Sequence, residues 1–294
     1  MINLFNDGWE FSKELLDTRL ENITAWKKVD IPHDWLIHQV NDLYETSEGW
    51  YKKTFVLDDT NDKLFKISFE GVYFNITVYV NNQQVGEWKY GYSTFEFDIT
   101  DFVEKGENLI VVKVRHEAPN TRWYSGAGIY RSVYLKELNK THINTNGIYI
   151  STAKNADKWN LDIQTEIVGL NSKAILKHTL IDENGDVVLL NERVLNPTLN
   201  SSDNITIVDD VLKVNSPKLW DLEEPNLYML WTEIIDEDGN LLDDNSEDFG
   251  FREIKFDTDK GFFLNGKHVK INGVCLHHDL GALGSAVNYK ATQR

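Results

Sequence analysis

Three polar residues near the C-terminal end of the sequence, His277, His278 and Asp279, carry side chains that bind metals or transfer protons. In an extended strand neighbouring side chains point to opposite faces, so His277 and His278 cannot both reach one ion unless the backbone turns there. A structural zinc site needs four ligands, and no Cys or His pair elsewhere in the sequence completes one. The pattern therefore predicts no metal site and favours loop histidines with ordinary hydrogen bonds.

The residues around these histidines are typical of the start of a β/α unit. The stretch "GFFLNGKHVKINGVCLHHD" (261–279) predicts a tight hairpin on Asn265-Gly266, followed by an apolar strand that reaches the histidines. Small residues and an incipient helix follow in "GALGSAVNYKATQR". One such unit cannot bury itself, so its expected setting is a parallel αβ architecture. His277 would then lie at the C-terminal end of a first barrel strand, where barrel enzymes place functional groups.

A second stretch, "PNTRWYSGAGIYRSVYL" (119–135), combines a guanidinium with neighbouring aromatic rings. It lacks both the third glycine of a dinucleotide fingerprint and the Gly-x-Ser-x-Gly of a nucleophile elbow. Arg122 and Trp123 suit a sugar, because aromatic faces stack on pyranose rings and guanidinium donors bind hydroxyl groups. The alternative is that Trp123 and Tyr124 cap a hydrophobic core. The residues alone leave both interpretations open.

The stretch "IPHDWLI" (31–37) places a histidine beside an aspartate, which could suggest a catalytic dyad. Adjacent residues seldom hydrogen-bond as base and orienting group, and no Ser or Cys nucleophile motif accompanies His33 and Asp34. The pattern therefore favours a role in core and loop packing.

Most of the sequence alternates apolar and polar residues with a period of two, which predicts a mainly β protein. The stretches 67–86, 93–100, 108–117 and 158–169 are examples of such strands. Two hairpin signals, "IDENGDVV" (181–188) and "IDEDGNLL" (235–242), contain the Asn-Gly and Asp-Gly pairs that favour type I′ turns. The turn spacing predicts β-sandwiches of roughly 100 residues each.

The composition excludes several classes of partner. The 294 residues carry a formal net charge of −17, which argues against nucleic acids and anionic membrane surfaces, because both need clustered Lys and Arg. No apolar run approaches the roughly 18 residues of a membrane span. The single cysteine, Cys275, cannot form an internal disulfide. Together with an N-terminus that lacks a secretory signal pattern, this cysteine count leads us to expect a cytoplasmic protein.

Taken together, these stretches resemble glycoside hydrolase family 2, and most closely its bacterial β-galactosidase branch. The segments "VDIPHDWLI", "GWYKKTF" and "RWYSGAGIYRSVYL" are similar to the family's N-terminal sugar-binding jelly roll. The segments "LWDLEEPNLY" and "DFGFREIKF" are similar to its immunoglobulin-like domain, and "FFLNGKHVKINGVCLHHDLGALG" to the entry of its catalytic barrel. The resemblance implies a jelly-roll domain over 1–138, an immunoglobulin-like β-sandwich over 139–254, and the first β/α stub of a TIM barrel over 255–294.

The resemblance also implies a reaction, the retaining hydrolysis of terminal β-galactosides by two glutamates that act as acid/base and nucleophile. Both glutamates are expected on later barrel strands beyond residue 294, so the chain alone is expected to be inactive and to need the remainder of the barrel. Among the site residues, His277 is expected to hydrogen-bond a sugar hydroxyl, and Arg122 and Trp123 to lie at the active-site rim. His278 and Asp279 follow as further candidates for contact with a galactoside or other β-linked oligosaccharide.

Three further implications and alternatives accompany the resemblance. The loop "NTRWYSGAG" has no acidic residue, so the sodium site of some relatives is not expected, and no cofactor is expected. Members of the family often oligomerise, which leaves a homo-oligomer open. The alternatives are a carbohydrate-binding module or a scaffold β-sandwich without catalysis, and a β-glucuronidase or β-mannosidase of the same family.

Overall fold

The computed structural model describes residues 1–38, 41–156, 158–197 and 204–294. The chain forms two compact units: unit 1 contains residues 1–138 and 275–294, and unit 2 contains residues 139–274. The segment 255–294 is therefore divided between the two units. Within the described ranges, no helix is both long enough and apolar enough to cross a membrane.

The described residues of unit 1 form a β-sandwich of twelve strands. The strands are β1 (Ile2–Leu4), β2 (Trp9–Glu14), β3 (Lys27–Val29), β4 (Ser47–Leu57), β5 (Lys63–Phe69), β6 (Val72–Tyr73), β7 (Ile76–Val80), β8 (Gln83–Trp88), β9 (Phe95–Asp98), β10 (Gly106–His116), β11 (Gly128–Ile129) and β12 (Val133–Asn139). One large sheet has the order β3-β2-β4-β10-β7-β8, and a second has the order β1-β12-β5-β9, while β6 and β11 pair as a small two-stranded sheet. The two sheets enclose one hydrophobic core, which confirms the predicted sandwich of jelly-roll type.

The period of two in the sequence explains which faces of the central strands are buried. In β10, Ile110, Val112 and Val114 are fully buried, and they pair with the equally buried residues of β7. Successive side chains of a strand point to opposite faces, so these alternate residues all reach the space between the sheets.

In the described part of unit 2, two antiparallel sheets pack as an immunoglobulin-like sandwich. Its strands are β13 (His142–Asn155), β14 (Lys158–Val168), β15 (Ala174–Ile181), β16 (Val187–Leu195), β17 (Ile205–Asn215), β18 (Tyr228–Asp236) and β19 (Leu241–Phe249). The sheets have the orders β13-β14-β17 and β16-β15-β18-β19. A sandwich of three plus four strands is the arrangement of constant-type immunoglobulin domains, so the second predicted fold is also confirmed.

The hairpin turns agree with the sequence only in part. Asn265 and Gly266 both have positive φ, of 50° and 77°, as a type I′ turn requires. In "IDENGDVV", however, only Gly185 has positive φ, so the predicted type I′ turn is wrong there. The Asp182 carboxylate instead accepts hydrogen bonds from the N–H groups of Asn184 and Asp186, and these bonds favour a longer loop.

The last part of the chain departs from the predicted β/α unit. Strands β20 (Ile254–Asp257), β21 (Gly261–Leu264) and β22 (Lys267–His268) form the expected hairpin in unit 2. Residues 269–288, all of them described, form no strand. Val269 still donates its N–H to the carbonyl oxygen of Phe262 in β21, but no strand pairing continues beyond it. The apolar side chains of Val274 and Leu276 are 94% and 91% exposed.

In the part of the chain that the structure describes, helical structure is confined to short segments. The only α-helix within the described ranges is α1 (Tyr289–Gln293), whose first turn is capped by the side chain of Asn288, which accepts from the N–H of Ala291. Single-turn 3₁₀ helices are found at Leu20–Asn22, Leu36–His38, Thr100–Phe102 and Gly281–Leu283.

Candidate functional site

Asp34 is the polar centre of the loop region at which the chemistry-bearing segments of unit 1 meet. Its side chain is buried, and its Oδ1 accepts hydrogen bonds from the N–H groups of Leu36 (3.0 Å) and Ala127 (3.1 Å). Its Oδ2 accepts from the Tyr124 hydroxyl at 2.5 Å, and from the N–H and hydroxyl of Ser285 at 2.9 and 3.1 Å. Five donors therefore compensate the loss of water around this carboxylate. Asp34 holds the loop 124–127 and the segment at Ser285 in one place.

The neighbouring His33 has a separate role in packing. Its Nδ1 lies 2.8 Å from the Tyr51 hydroxyl, and its ring contacts Phe11 with centroids 4.7 Å apart. Burial lowers the pKa of His33 to about 4, although the nearby Asp34 charge opposes the shift. The imidazole is therefore neutral at pH 7. Because His33 and Asp34 bind different partners, they form no catalytic dyad, and packing is the role that the sequence favours.

Two glycines allow the segments to approach the Asp34 carboxylate. Both have positive φ, 66° for Gly126 and 60° for Gly284. A Cβ atom at Gly126 would lie 2.0 Å from the Ser285 hydroxyl, and one at Gly284 would lie 2.3 Å from Asp34 Oδ2. No side chain fits at either position. The "GAG" and "ALG" patterns thus serve close backbone packing rather than phosphate binding.

The loop before Gly126 separates the two aromatic residues that the sequence could not distinguish. The Tyr124 ring packs on the hydrophobic core and its hydroxyl binds Asp34, so this residue performs the capping role. Burial and the bond to Asp34 raise the pKa of Tyr124 well above its usual value, so it remains a donor. Trp123, in contrast, is 40% exposed, and its Nε1 donates to the Tyr92 hydroxyl at 3.3 Å. Of these two aromatic residues, Trp123 is therefore the one whose ring is available to a ligand.

Arg122 and the histidine segment add free polar groups to this region. Arg122, His277 and Asp279 are exposed, and none of the three forms a side-chain hydrogen bond or ion pair with the rest of the described chain. His278 is half-buried: its Nε2 lies 3.4 Å from the Ser125 carbonyl oxygen, and its ring meets Tyr92 edge-on at 5.8 Å. The structure thus brings the sequence-predicted residues of both stretches to the same end of unit 1.

Within the described ranges no three His, Cys, Asp or Glu side chains converge in a way that could hold an ion. The exposed groups instead combine donors, acceptors and aromatic faces, which is the chemistry that polyhydroxylated ligands require.

Sequence reasoning missed Asp34, Ser285 and Tyr92 as parts of this region. A signal for Asp34 was present, because a lone carboxylate inside the apolar run "IPHDWLI" has to be hydrogen-bonded if the run is buried. No local pattern marks Ser285 or Tyr92, since their roles depend on partners far away in the chain.

Comparison with known proteins agrees with this combination of domains. Residues 25–141 match the model described as "Glycosyl hydrolases family 2, sugar binding domain", and residues 141–252 match the model described as "Glycosyl hydrolases family 2". The chain is 36% identical to the beta-galactosidase BoGH2A of Bacteroides ovatus over 92% of its own length and 33% of that protein. It is 34% identical to a putative beta-glucuronidase of Formosa agariphila over 96% of its length and 28% of that protein.

A solved structure gives the same result for the fold. A glycosyl hydrolase family 2 member from Bacteroides cellulosilyticus matches 99% of this chain and 42% of its own chain, with 33% identity and a TM-score of 0.89. The chain spans about a third of the length of the two curated relatives named above.

Proposed function

This chain belongs to glycoside hydrolase family 2, and from that membership we propose that it is the N-terminal part of a retaining hydrolase that removes terminal β-galactosyl residues. The observation that carries the galactoside assignment is the alignment of almost the whole chain with a β-galactosidase. The acidic chain and its free polar and aromatic groups suit a neutral sugar better than an anionic polymer.

The chemical step belongs, in this proposal, to residues beyond the present chain. A retaining mechanism needs two carboxylates about 5–5.5 Å apart, one on each side of the reacting bond. A complete barrel that would hold them needs roughly 250 residues. The curated relatives are about three times as long as their matching part, which leaves room for such a barrel. The 294-residue chain is accordingly inactive by itself.

The present residues bind and position the substrate. His277 hydrogen-bonds a hydroxyl of the terminal sugar, and this bond can strengthen as the transition state forms. Arg122 and Trp123 contact the substrate at the rim, and His278 and Asp279 complete the polar border. Asp34 is a positioning residue, because it holds the Trp123 loop and the segment after Asp279 through hydrogen bonds alone.

A β-glucuronidase is the second candidate, because a relative of nearly the same similarity has that name. A glucuronide differs from a galactoside in carrying a carboxylate. The exposed Arg122, which has no anionic partner within the described ranges, could bind that group in a bidentate manner.

The test uses the longest gene product that contains this chain, assayed with nitrophenyl β-galactoside, β-glucuronide and β-mannoside. We expect hydrolysis of the galactoside with the highest kcat/KM, and no turnover by the purified 294-residue chain. A preference for the glucuronide that is lost in Arg122→Ala would replace the first candidate by the second. Hydrolysis by the 294-residue chain would contradict the proposed location of the catalytic glutamates.

A further inference from the structure

Three aromatic side chains from two loops meet at the exposed end of unit 1. Tyr90 and Tyr92 lie between β8 and β9, with ring centroids 6.0 Å apart and planes at 69°. Trp123, from the other loop, donates its Nε1 proton to the Tyr92 hydroxyl at 3.3 Å. Tyr90 is 61% and Trp123 40% exposed, so a substantial part of each ring faces solvent. We call Tyr90, Tyr92 and Trp123 the aromatic platform.

The loop that carries Tyr90 and Tyr92 is fixed by contacts with Tyr130 and Tyr73. The buried Tyr130 hydroxyl donates to the Gly91 carbonyl oxygen at 2.7 Å, and the Tyr73 ring lies 5.2 Å from the Tyr92 ring. A Cβ atom at Gly91 would come within 2.3 Å of the Tyr73 ring, so this position needs glycine. The loop therefore packs directly against these two side chains.

The Trp123 loop is held in a similar way. The Thr121 hydroxyl donates to the Trp123 carbonyl oxygen at 2.6 Å, and Asp34 binds Tyr124 in the next position. Since both loops are fixed before any ligand arrives, little conformational entropy is lost when a ring stacks on the platform.

Four polar side chains belong to the segments around the platform. The ring of His278 touches Tyr92, and His277 and Asp279 flank His278 in sequence. Arg122 precedes Trp123. Three of these side chains, Arg122, His277 and Asp279, make no hydrogen bond or ion pair with the described chain. Exposed aromatic faces beside unpaired donors and acceptors are the combination that binds a sugar ring, whose two faces are apolar and whose edge is polar.

We infer that the aromatic platform binds the leaving-group sugar of the substrate, on the far side of the reacting bond from the residue that is removed. The inference rests on the proposed function. That reaction removes a terminal sugar, so any further sugar ring lies on the leaving-group side. The next residue after His277, His278, contacts Tyr92 of the platform. If His277 binds the terminal sugar, the platform therefore lies about one sugar ring away from that sugar. The platform therefore selects for a saccharide leaving group.

The test compares two substrates of the full gene product that share the preferred terminal sugar. One is its disaccharide with glucose, and the other is its glycosyl fluoride, whose leaving group is too small to reach the platform. We expect Tyr90→Ala and Trp123→Ala each to raise KM for the disaccharide roughly fivefold to tenfold. The kinetics of Tyr90→Ala on the fluoride should match wild type. Trp123→Phe, which keeps a ring, should restore most of the lost affinity.

Tyr149→Ala is the matched control, because Tyr149 is 67% exposed but belongs to unit 2. It should leave both substrates unaffected. Equal losses on the disaccharide and the fluoride would show a general structural defect, and unchanged disaccharide kinetics in both alanine variants would show that no sugar stacks there; either result overturns the inference. A wild-type enzyme that hydrolyses no glycoside would instead overturn the proposed function itself.

Discussion

Asp34 and Ser285 are 251 positions apart, yet Asp34 Oδ2 accepts hydrogen bonds from both the backbone N–H and the hydroxyl of Ser285. The same oxygen also accepts from Tyr124, and Oδ1 binds the N–H of Ala127. One carboxylate thus ties the segment after the histidines to the loop that carries Trp123. The arrangement of the candidate site depends on this single buried charge.

Replacing Asp34 with alanine should therefore destabilise unit 1 strongly. Asp34→Ala leaves five donors without their acceptor, and we expect the free energy of unfolding to fall by about 3 kcal/mol or more. Ser285→Ala removes only the hydroxyl bond and should cost about 1 kcal/mol. The control Asp30→Asn changes an exposed aspartate of the same loop region and should have little effect. Urea unfolding followed by tryptophan fluorescence measures all three, and equal values for Asp34→Ala and Asp30→Asn would contradict the assigned role.

The two glycines beside Asp34 should not tolerate a methyl group. In Gly284→Ala the new Cβ would lie 2.3 Å from Asp34 Oδ2, so the carboxylate has to move and lose hydrogen bonds. We expect a loss of about 2–4 kcal/mol in the free energy of unfolding. Gly8→Ala is the matched control, because Gly8 also has positive φ (74°) but has no atom within 4 Å of the added Cβ. Its cost should be only about 1 kcal/mol, from the backbone conformation alone. Thermal or urea unfolding would refute the close-packing argument if the two variants lost the same stability.

The burial of His33 should make unit 1 less stable in mild acid. The folded-state pKa of about 4 lies below the usual histidine pKa of 6.5, so the unfolded chain binds more protons between these values. The stabilisation from a neutral His33 is complete above about pH 6.5 and is lost as the pH falls towards 4, by about 3 kcal/mol in total. His33→Gln cannot titrate and should show a shallower decline over this window. Unfolding measured at several pH values tests this expectation, and identical slopes for the variant and the wild type would exclude His33 as the cause.

The segment around Val274 and Leu276 should exchange its amide hydrogens fastest among the apolar stretches of the chain. Its side chains are almost fully exposed, and residues 269–288 form no strand. Exchange with rates close to those of an unfolded peptide is expected there, against strong protection in β4 and β10. In the longer gene product the same amides should become protected, because a barrel strand pairs with its neighbours. Hydrogen exchange measured by mass spectrometry on both proteins tests the prediction, and equal protection of this segment and β10 in the 294-residue chain would contradict it.

Local patterns in the sequence are sufficient for the strands and the two sandwiches. The alternation that buries Ile110, Val112 and Val114 is visible in the sequence, because side-chain direction in a strand depends only on the parity of the position. The Asn265-Gly266 turn is equally local, since its two positive φ values are intrinsic preferences of those residues. The resemblance to the family rests on such stretches too. The turn at Gly185 was mispredicted because the Asp182 carboxylate competes for the backbone donors of the loop.

The candidate site shows the limit of this reasoning. The sequence by itself determined that Arg122, Trp123 and His277–Asp279 have the chemistry to bind a sugar, because side-chain chemistry is a property of each residue. Only the tertiary structure decided that Tyr124 faces the core while Trp123 faces solvent, and that Asp34 joins both segments. The physical reason is that a buried carboxylate must find donors wherever the fold provides them, and those donors lie up to 251 positions away.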